Sequence, residues 1–186
     1  MEKKGKITEL QSHTGVEVMR CYQCGKCTAG CVLASDMNFP PSYLMRLLQT
    51  GTKENYHKIL ASNSIWLCLN CENCVGRCPM EIDIPKMMDF LRTQAIKENI
   101  LHPDSKPIIS FHRSFLDSIK YTGRLYEVGL IAAFKARTFR LTQDLTIAPV
   151  MYLKGKLHLL PEKIKDRRSM KRIFAQTIEN DKNKKV

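Results

Sequence analysis

One cysteine motif, used twice at a fixed distance, constrains this chain more than any other feature. Residues 21–31 read CYQCGKCTAGC, a C-x₂-C-x₂-C-x₃-C run, and residues 68–78 read CLNCENCVGRC with the same spacing. The offset of 47 residues pairs Cys21 with Cys68, Cys24 with Cys71, Cys27 with Cys74 and Cys31 with Cys78. All 8 cysteines of the 186 residues are used in this way.

The spacing discriminates between metals. A structural zinc site takes four thiolates or imidazoles, usually as two pairs separated by a longer loop. Here a third x₂ step stands where that loop would be. A [4Fe–4S] cube asks for one thiolate per iron, and cysteines at every third residue can wrap three of its corners. The fourth cysteine of such a run ligates the neighbouring cube, as it does in two-cluster ferredoxins. The pattern therefore predicts two [4Fe–4S] clusters. Cys21, Cys24, Cys27 and Cys78 are expected to hold the first, and Cys68, Cys71, Cys74 and Cys31 the second. Pro79 follows Cys78 as the ferredoxin signature asks, whereas Val32 follows Cys31. Gly25 and Gly30 are expected to let backbone N–H groups approach sulfur, and Lys26 to add positive charge near the first cube. Both would raise a potential.

The remaining pattern is helical. The first 15 or so residues lack strong periodicity and read as an arm. Between the runs, Ser42 is expected to cap a short helix ending at Gly51, with Leu44, Leu47 and Leu48 at helical spacing. A second helix from Thr52 places Tyr56, Ile59 and Leu60 on one face. Beyond the second run, Pro85 suits a first helical turn. Ile84, Met87, Met88, Leu91 and Ala95 then form a core stripe. HPDSKP at 102–107 is a turn-rich joint. It divides an arm plus two-cluster domain, 1–101, from a C-terminal helical extension, 102–186. In the extension, helices are expected near 108–121, 124–136 and 138–147. Gly155 and Pro161 break the chain before a last amphipathic helix carrying Met170, Ile173, Phe174 and Ile178. The chain reads as all-α, with metal-binding loops.

Charge is uneven. Residues 1–100 carry a balance of +2 and residues 101–186 a balance of +10. Such asymmetry fits a nucleic acid, an anionic membrane or an acidic protein partner. No apolar run approaches the ~18–20 residues of a spanning helix. The N-terminus has charges without the apolar stretch of a secretory signal. A cytoplasmic location follows, where thiols stay reduced and dense cysteines mean metal. No G-x-G-x-x-G, P-loop, nucleophile elbow or H-E-x-x-H occurs, and the histidines at 13, 57, 102, 112 and 158 are scattered. Two clusters without a catalytic site imply a relay whose chemistry happens in another subunit.

The paired cysteine runs, the helical insert and SNSIWLC leading into the second run resemble the α-helical ferredoxins. That fold includes the cluster domains of succinate and glycerol-3-phosphate dehydrogenase iron–sulfur subunits. IDIPKMMDFLRTQAI at 82–96 and YLKGKLHLLPEKIK at 152–165 are similar to segments of the C-type, iron–sulfur subunits of heterodisulfide reductases and their bacterial relatives. The resemblance spans roughly residues 15–175. It implies electron transfer between two partners. One is the A-type flavoprotein, which also bears clusters, and the other is the cysteine-rich, B-type catalytic protein, where a disulfide or sulfur substrate reacts. The alternatives are the iron–sulfur subunit of another flavin-linked dehydrogenase, of the glycerol-3-phosphate type, and a basic nucleic-acid or regulatory protein with structural clusters. Few aromatics are placed for base stacking in 108–178. That segment is expected to be a docking module instead. Phe111, Phe115, Leu116, Phe134, Ile173 and Phe174 would form its apolar face, and Lys154, Lys156, Lys163, Lys165, Arg167 and Arg168 its cationic grip. Neither nucleic acid nor a membrane span is expected.

Overall fold

The computed structural model describes residues 5–138, 150, 153–155, 164 and 166–179. The helix expected near 138–147, Pro161, Lys156, Lys163 and Lys165 lie outside the described residues. Among those described, the regular structure is entirely helical. The chain divides into two compact units, Met1–Ser105 and Lys106–Val186.

The first unit is built on one long helix at Ile84–Lys97. Helix α1 spans Gly5–Thr14, which corrects the expectation of an arm. Leu10 and Thr14 are buried, and α1 packs against the long helix. Its hold is mostly polar: the Gln94 amide donates to Glu9 Oε1 at 3.1 Å, Lys6 Nζ reaches Glu98 Oε1 at 3.0 Å, and His13 stacks on Phe90 at 5.6 Å. A helix with one fully buried leucine shows little periodicity in sequence, and tertiary contacts stabilise it.

A 3₁₀ turn, Val18–Arg20, leads into the first cysteine loop, which closes with the one-turn helix α2, Lys26–Ala29. Helix α3 spans Pro41–Gln49. Its N-cap is Pro40 without a side-chain cap bond, so Ser42 does not cap it as expected. Ser42 instead lies inside the first turn and bonds to Thr28. Helix α4, Lys53–Leu60, is capped by Thr52, whose hydroxyl accepts the Asn55 N–H at 3.2 Å. It buries Tyr56, Ile59 and Leu60. Helix α5, Ser64–Leu67, enters the second cysteine loop, and α6, Asn73–Gly76, closes it.

The long helix, α7, begins where Asp83 Oδ1 accepts the Lys86 N–H at 2.9 Å, with proline in its first turn. The whole stripe Ile84, Met87, Met88, Leu91 and Ala95 is buried. Burial of a side chain such as Leu91 stabilises by about 1.5–3 kcal/mol relative to exposure. Because α1, α4, α5 and α6 all pack on α7, this stripe is the spine of the unit.

The second unit contains α8 (Lys106–Thr122), α9 (Glu127–Thr138) and α10 (Arg167–Phe174), the last running into a π-type turn at Ala175–Glu179. Helix α8 packs on both α9 and α10. Phe111 meets Phe134 edge-on at 6.0 Å and Phe115 at 6.4 Å. Arg137 joins the pair of helices by donating to Ser114 Oγ at 2.8 Å and Asp117 Oδ2 at 2.6 Å. The expected apolar face is thus partly internal. Phe111, Leu116 and Ile173 remain exposed, at 43%, 41% and 52%, while Phe115, Phe134 and Phe174 are half-buried. Among the described residues no helix is long and apolar enough to cross a membrane.

Tyr56 in the first unit carries an unpaired group. Its ring sits beneath Lys6 Nζ at 5.7 Å, but its buried hydroxyl has no hydrogen-bond partner. Burial, and then the nearby Glu98 and Glu9 carboxylates, push the phenol well above its ordinary range. Replacing an unsatisfied polar group by an apolar one of the same shape is nearly neutral or stabilising. Tyr56→Phe should therefore leave denaturant stability unchanged or raise it by up to ~1 kcal/mol. A clear loss of stability in urea unfolding would contradict this account.

Candidate metal centre

The two cysteine loops are the same object built twice. Cys21 and Cys68 are both extended, at φ −69°, ψ 118° and φ −58°, ψ 122°. Two residues on, Gln23 and Asn70 both take positive φ, 63° and 51°. Gly25 and Glu72 follow in the left-handed region, at φ 76° and 60°. Each loop then makes one helical turn and exits through Gly30 or Arg77, at φ −97° and −95°. Glycine adopts the left-handed conformation freely, whereas a residue such as Glu72 is disfavoured there. That the second loop keeps the conformation without glycine shows how strongly its surroundings impose it.

Their exits also touch. A Cβ on Gly30 would lie 2.5 Å from Arg77 Cδ, and α2 packs against α6. The two positions are equivalent in the repeat, and a larger residue at 30 would have to displace the end of the Arg77 side chain. The Gly30 N–H donates to the Lys26 carbonyl at 3.1 Å. It does not approach sulfur as expected, because closing the helical turn uses it. Backbone N–H groups reach sulfur elsewhere, as Ile82 does to Cys78 Sγ at 3.4 Å.

All 8 cysteines are free thiols, and they fall into two sets. Cys21, Cys24, Cys27 and Cys78 line one cavity, walled by Met45, Ile82 and Ile84. Cys31, Cys68, Cys71 and Cys74 line another, walled by Met37, Ile84 and Met88. Ile84, at the head of α7, stands between them. Among the described residues no three Cys, His, Asp or Glu side chains converge on a point that would hold a single ion. Thiols arranged around a space suit a polynuclear cluster, which takes its ligands one per iron.

Burial decides the chemistry of these thiols. It pushes Cys27 and Cys68 upward, the latter against the Arg92 guanidinium, and it pushes Cys74 up to about 11 with help from the Cys68 charge. Cys27 also acts on Cys74 electrostatically. These thiols therefore stay protonated at neutral pH until a metal displaces the proton.

What holds each loop in place is not visible as a motif. In the first, Gln49 Nε2 at the end of α3 donates to the carbonyls of Cys21 at 2.6 Å and Val18 at 3.3 Å. The Gln23 and Gln49 amides meet at 2.9 Å. In the second, Arg92 on α7 donates through Nε to the Ile65 carbonyl at 2.5 Å and through Nη2 to that of Cys68. Asn70 Nδ2 donates to both Asp89 oxygens, at 3.1 and 3.0 Å. The clamps stand 28 and 24 residues from the cysteines they hold. They are thus out of step with the 47-residue repeat, and only the paired Gln23 and Asn70 hint at them. Ser42 joins the first set: its hydroxyl pairs with Thr28 Oγ1 at 2.7 Å, and its N–H donates to that oxygen at 2.9 Å.

Relationships to known proteins agree with this geometry. Residues 17–82 match the family model of the 4Fe-4S dicluster domain. The chain is 26% identical over 103 residues, 55% of itself and 54% of the relative, to the C subunit of the H(2):CoB-CoM heterodisulfide,ferredoxin reductase of Methanothermobacter thermautotrophicus. It is 28% identical over 96 residues, 52% and 48% of the two chains, to the iron-sulfur C subunit of the CoB--CoM heterodisulfide reductase of Methanopyrus kandleri. It is 36% identical over 81 residues, 44% and 31%, to the C subunit of a ferredoxin:CoB-CoM heterodisulfide reductase of Methanosarcina acetivorans. The chain spans about half the length of the first two of these curated relatives and less of the third. The dicluster-domain match covers about a third of the chain, and over about half its length the chain is similar to proteins named as the C subunits of heterodisulfide reductases.

The Thr28–Ser42 contact carries a prediction of its own. Thr28→Val removes the acceptor for the Ser42 N–H and leaves a part-buried donor unpaired, costing about 1–3 kcal/mol. Ser42→Ala keeps that acceptor and should cost less. Chemical denaturation of the two variants compares them, and a larger loss in Ser42→Ala would invert the assignment.

Proposed function

We propose that this chain is the electron-transfer subunit of a heterodisulfide reductase-like complex and carries two [4Fe–4S] clusters. In this reading Cys21, Cys24, Cys27 and Cys78 hold the first cluster and Cys68, Cys71, Cys74 and Cys31 the second. The observation that carries it is the division of the thiols into two cavities, each taking three cysteines from one loop and one from the other. When bound, such clusters exchange single electrons with neighbouring centres. The chain's own residues hold the thiolates and exclude water with Met37, Met45, Ile84 and Met88. Cys27 and Cys74, which feel one another electrostatically across the two sets, mark the path from one to the other. Cys24 and Cys71 are exposed and face outward, where electrons would enter and leave. The chain thus works as a relay without a catalytic site of its own.

The relatives' names speak of heterodisulfide and ferredoxin. By that analogy the partners are a cysteine-rich catalytic protein of the B type, where a disulfide or sulfur substrate reacts, and a flavoprotein of the A type. Eight free thiols suit a reducing compartment such as the cytoplasm. The residues from 108 to 178 are assigned to docking. Phe111, Leu116 and Ile173 offer exposed apolar contacts, and the +10 balance of residues 101–186 would steer an acidic partner and fix register more than it adds affinity.

Two experiments test this reading. Cys31→Ser should damage the cluster built on Cys68, Cys71 and Cys74, and Cys78→Ser the one built on Cys21, Cys24 and Cys27. Cluster-resolved EPR reads each, and perturbation of a loop's own cluster by its own fourth cysteine would overturn the crossed assignment. Truncation after residue 148 should leave the iron content intact yet abolish copurification with the catalytic protein. Full assembly of the shortened chain would remove the docking role.

A further inference from the structure

The two loops share a backbone but not a clamp. Gln49 donates to the carbonyls of Val18 and Cys21, and Arg92 to those of Ile65 and Cys68. Val18 and Ile65, like Cys21 and Cys68, stand 47 residues apart. The two side chains therefore do the same task at equivalent carbonyls, one as a neutral amide and the other as a guanidinium. Arg92 is half-buried, its side chain 22% exposed, while its partner Asp89, at 2.8 Å, is 56% exposed. A charge facing solvent is screened more than one enclosed by protein, so the Asp89 carboxylate offsets the Arg92 charge only in part.

We infer that Gln49 and Arg92 are equivalent positioning residues, and that the guanidinium of Arg92 sets the reduction potential of the second cluster apart from that of the first. The inference rests on the reading that each set of four thiols holds a cluster. Reduction adds negative charge to a cluster, and a fixed cation beside its ligand loop stabilises that state. Arginine also suits the role by form, because its planar fork satisfies two carbonyls at once in a fixed geometry. The clamps thus place a cation at one loop's carbonyls and a neutral amide at the equivalent carbonyls of the other.

The test is potentiometry followed by EPR on the full chain, reconstituted with iron and sulfide without oxygen. Signals are assigned beforehand with Cys31→Ser and Cys78→Ser. Arg92→Gln should shift the midpoint of the second cluster to more negative values and leave the first unmoved. Arg92→Lys should restore most of the shift, since it keeps the charge while giving up the fork. Asp89→Asn, a change at an exposed side chain, should shift the second cluster the other way. If Arg92→Gln loses the second cluster altogether, the sign of the Asp89→Asn shift decides. The inference falls if Arg92→Gln moves both midpoints equally or moves neither, or if Asp89→Asn leaves the second midpoint in place or makes it more negative. A wild-type chain that shows only one cluster would instead sink the two-cluster reading beneath it.

Discussion

Everything in the first unit depends on holding two thiol-bearing loops still from outside. A loop that presents four cysteines to a cavity in eleven residues has little side chain left with which to pack itself. Its handles are a few polar side chains, Gln23, Thr28 and Asn70, and its backbone carbonyls, which α3 and α7 reach with Gln49 and Arg92. Positive φ at Gln23, Asn70 and Glu72 becomes tolerable because those bonds, and the contact of α2 with α6, fix the loops on both sides. Strain of this kind persists only where the surroundings over-determine it.

Helix α7 serves the site twice. Its apolar stripe is the spine on which α1, α4, α5 and α6 pack, and its polar edge supplies Asp89 and Arg92 to the second loop. At its head, Ile84 lines both cavities. One helix thus couples the core to both thiol sets, so a change that loosens the stripe reaches the metal centre without touching a cysteine. The repeat supplies two similar loops, but not two similar clamps. Its two halves meet different helices, and different side chains stand within reach of the carbonyls.

Much of this is legible in the sequence, for identifiable reasons. The α4 face, the α7 stripe and the role of Pro85 follow from periodicity and proline stereochemistry, which act within a few residues. Periodicity misses α1 because that helix carries a single fully buried leucine, Leu10, and is held by polar contacts with α7 more than 80 residues away. Capping rules misplace Ser42 because proline already starts the helix and the hydroxyl finds Thr28. The apolar pattern of the second unit suggests a wholly outward face, whereas Phe111, Phe115 and Phe134 partly satisfy one another.

By itself the sequence determined the chemistry: eight thiols at a spacing that suits iron–sulfur clusters, in an all-helical frame with a basic C-terminal half. Thiol spacing fixes which corners of a cluster one loop can reach, and helical periodicity fixes which faces are apolar. Both are local properties. The tertiary structure alone decided that Gly30 lies against the Arg77 side chain, and that a neutral amide clamps one loop and a guanidinium the other. Those are facts of approach between segments distant in the chain, and no rule of spacing encodes which side chain of a passing helix will find a free carbonyl.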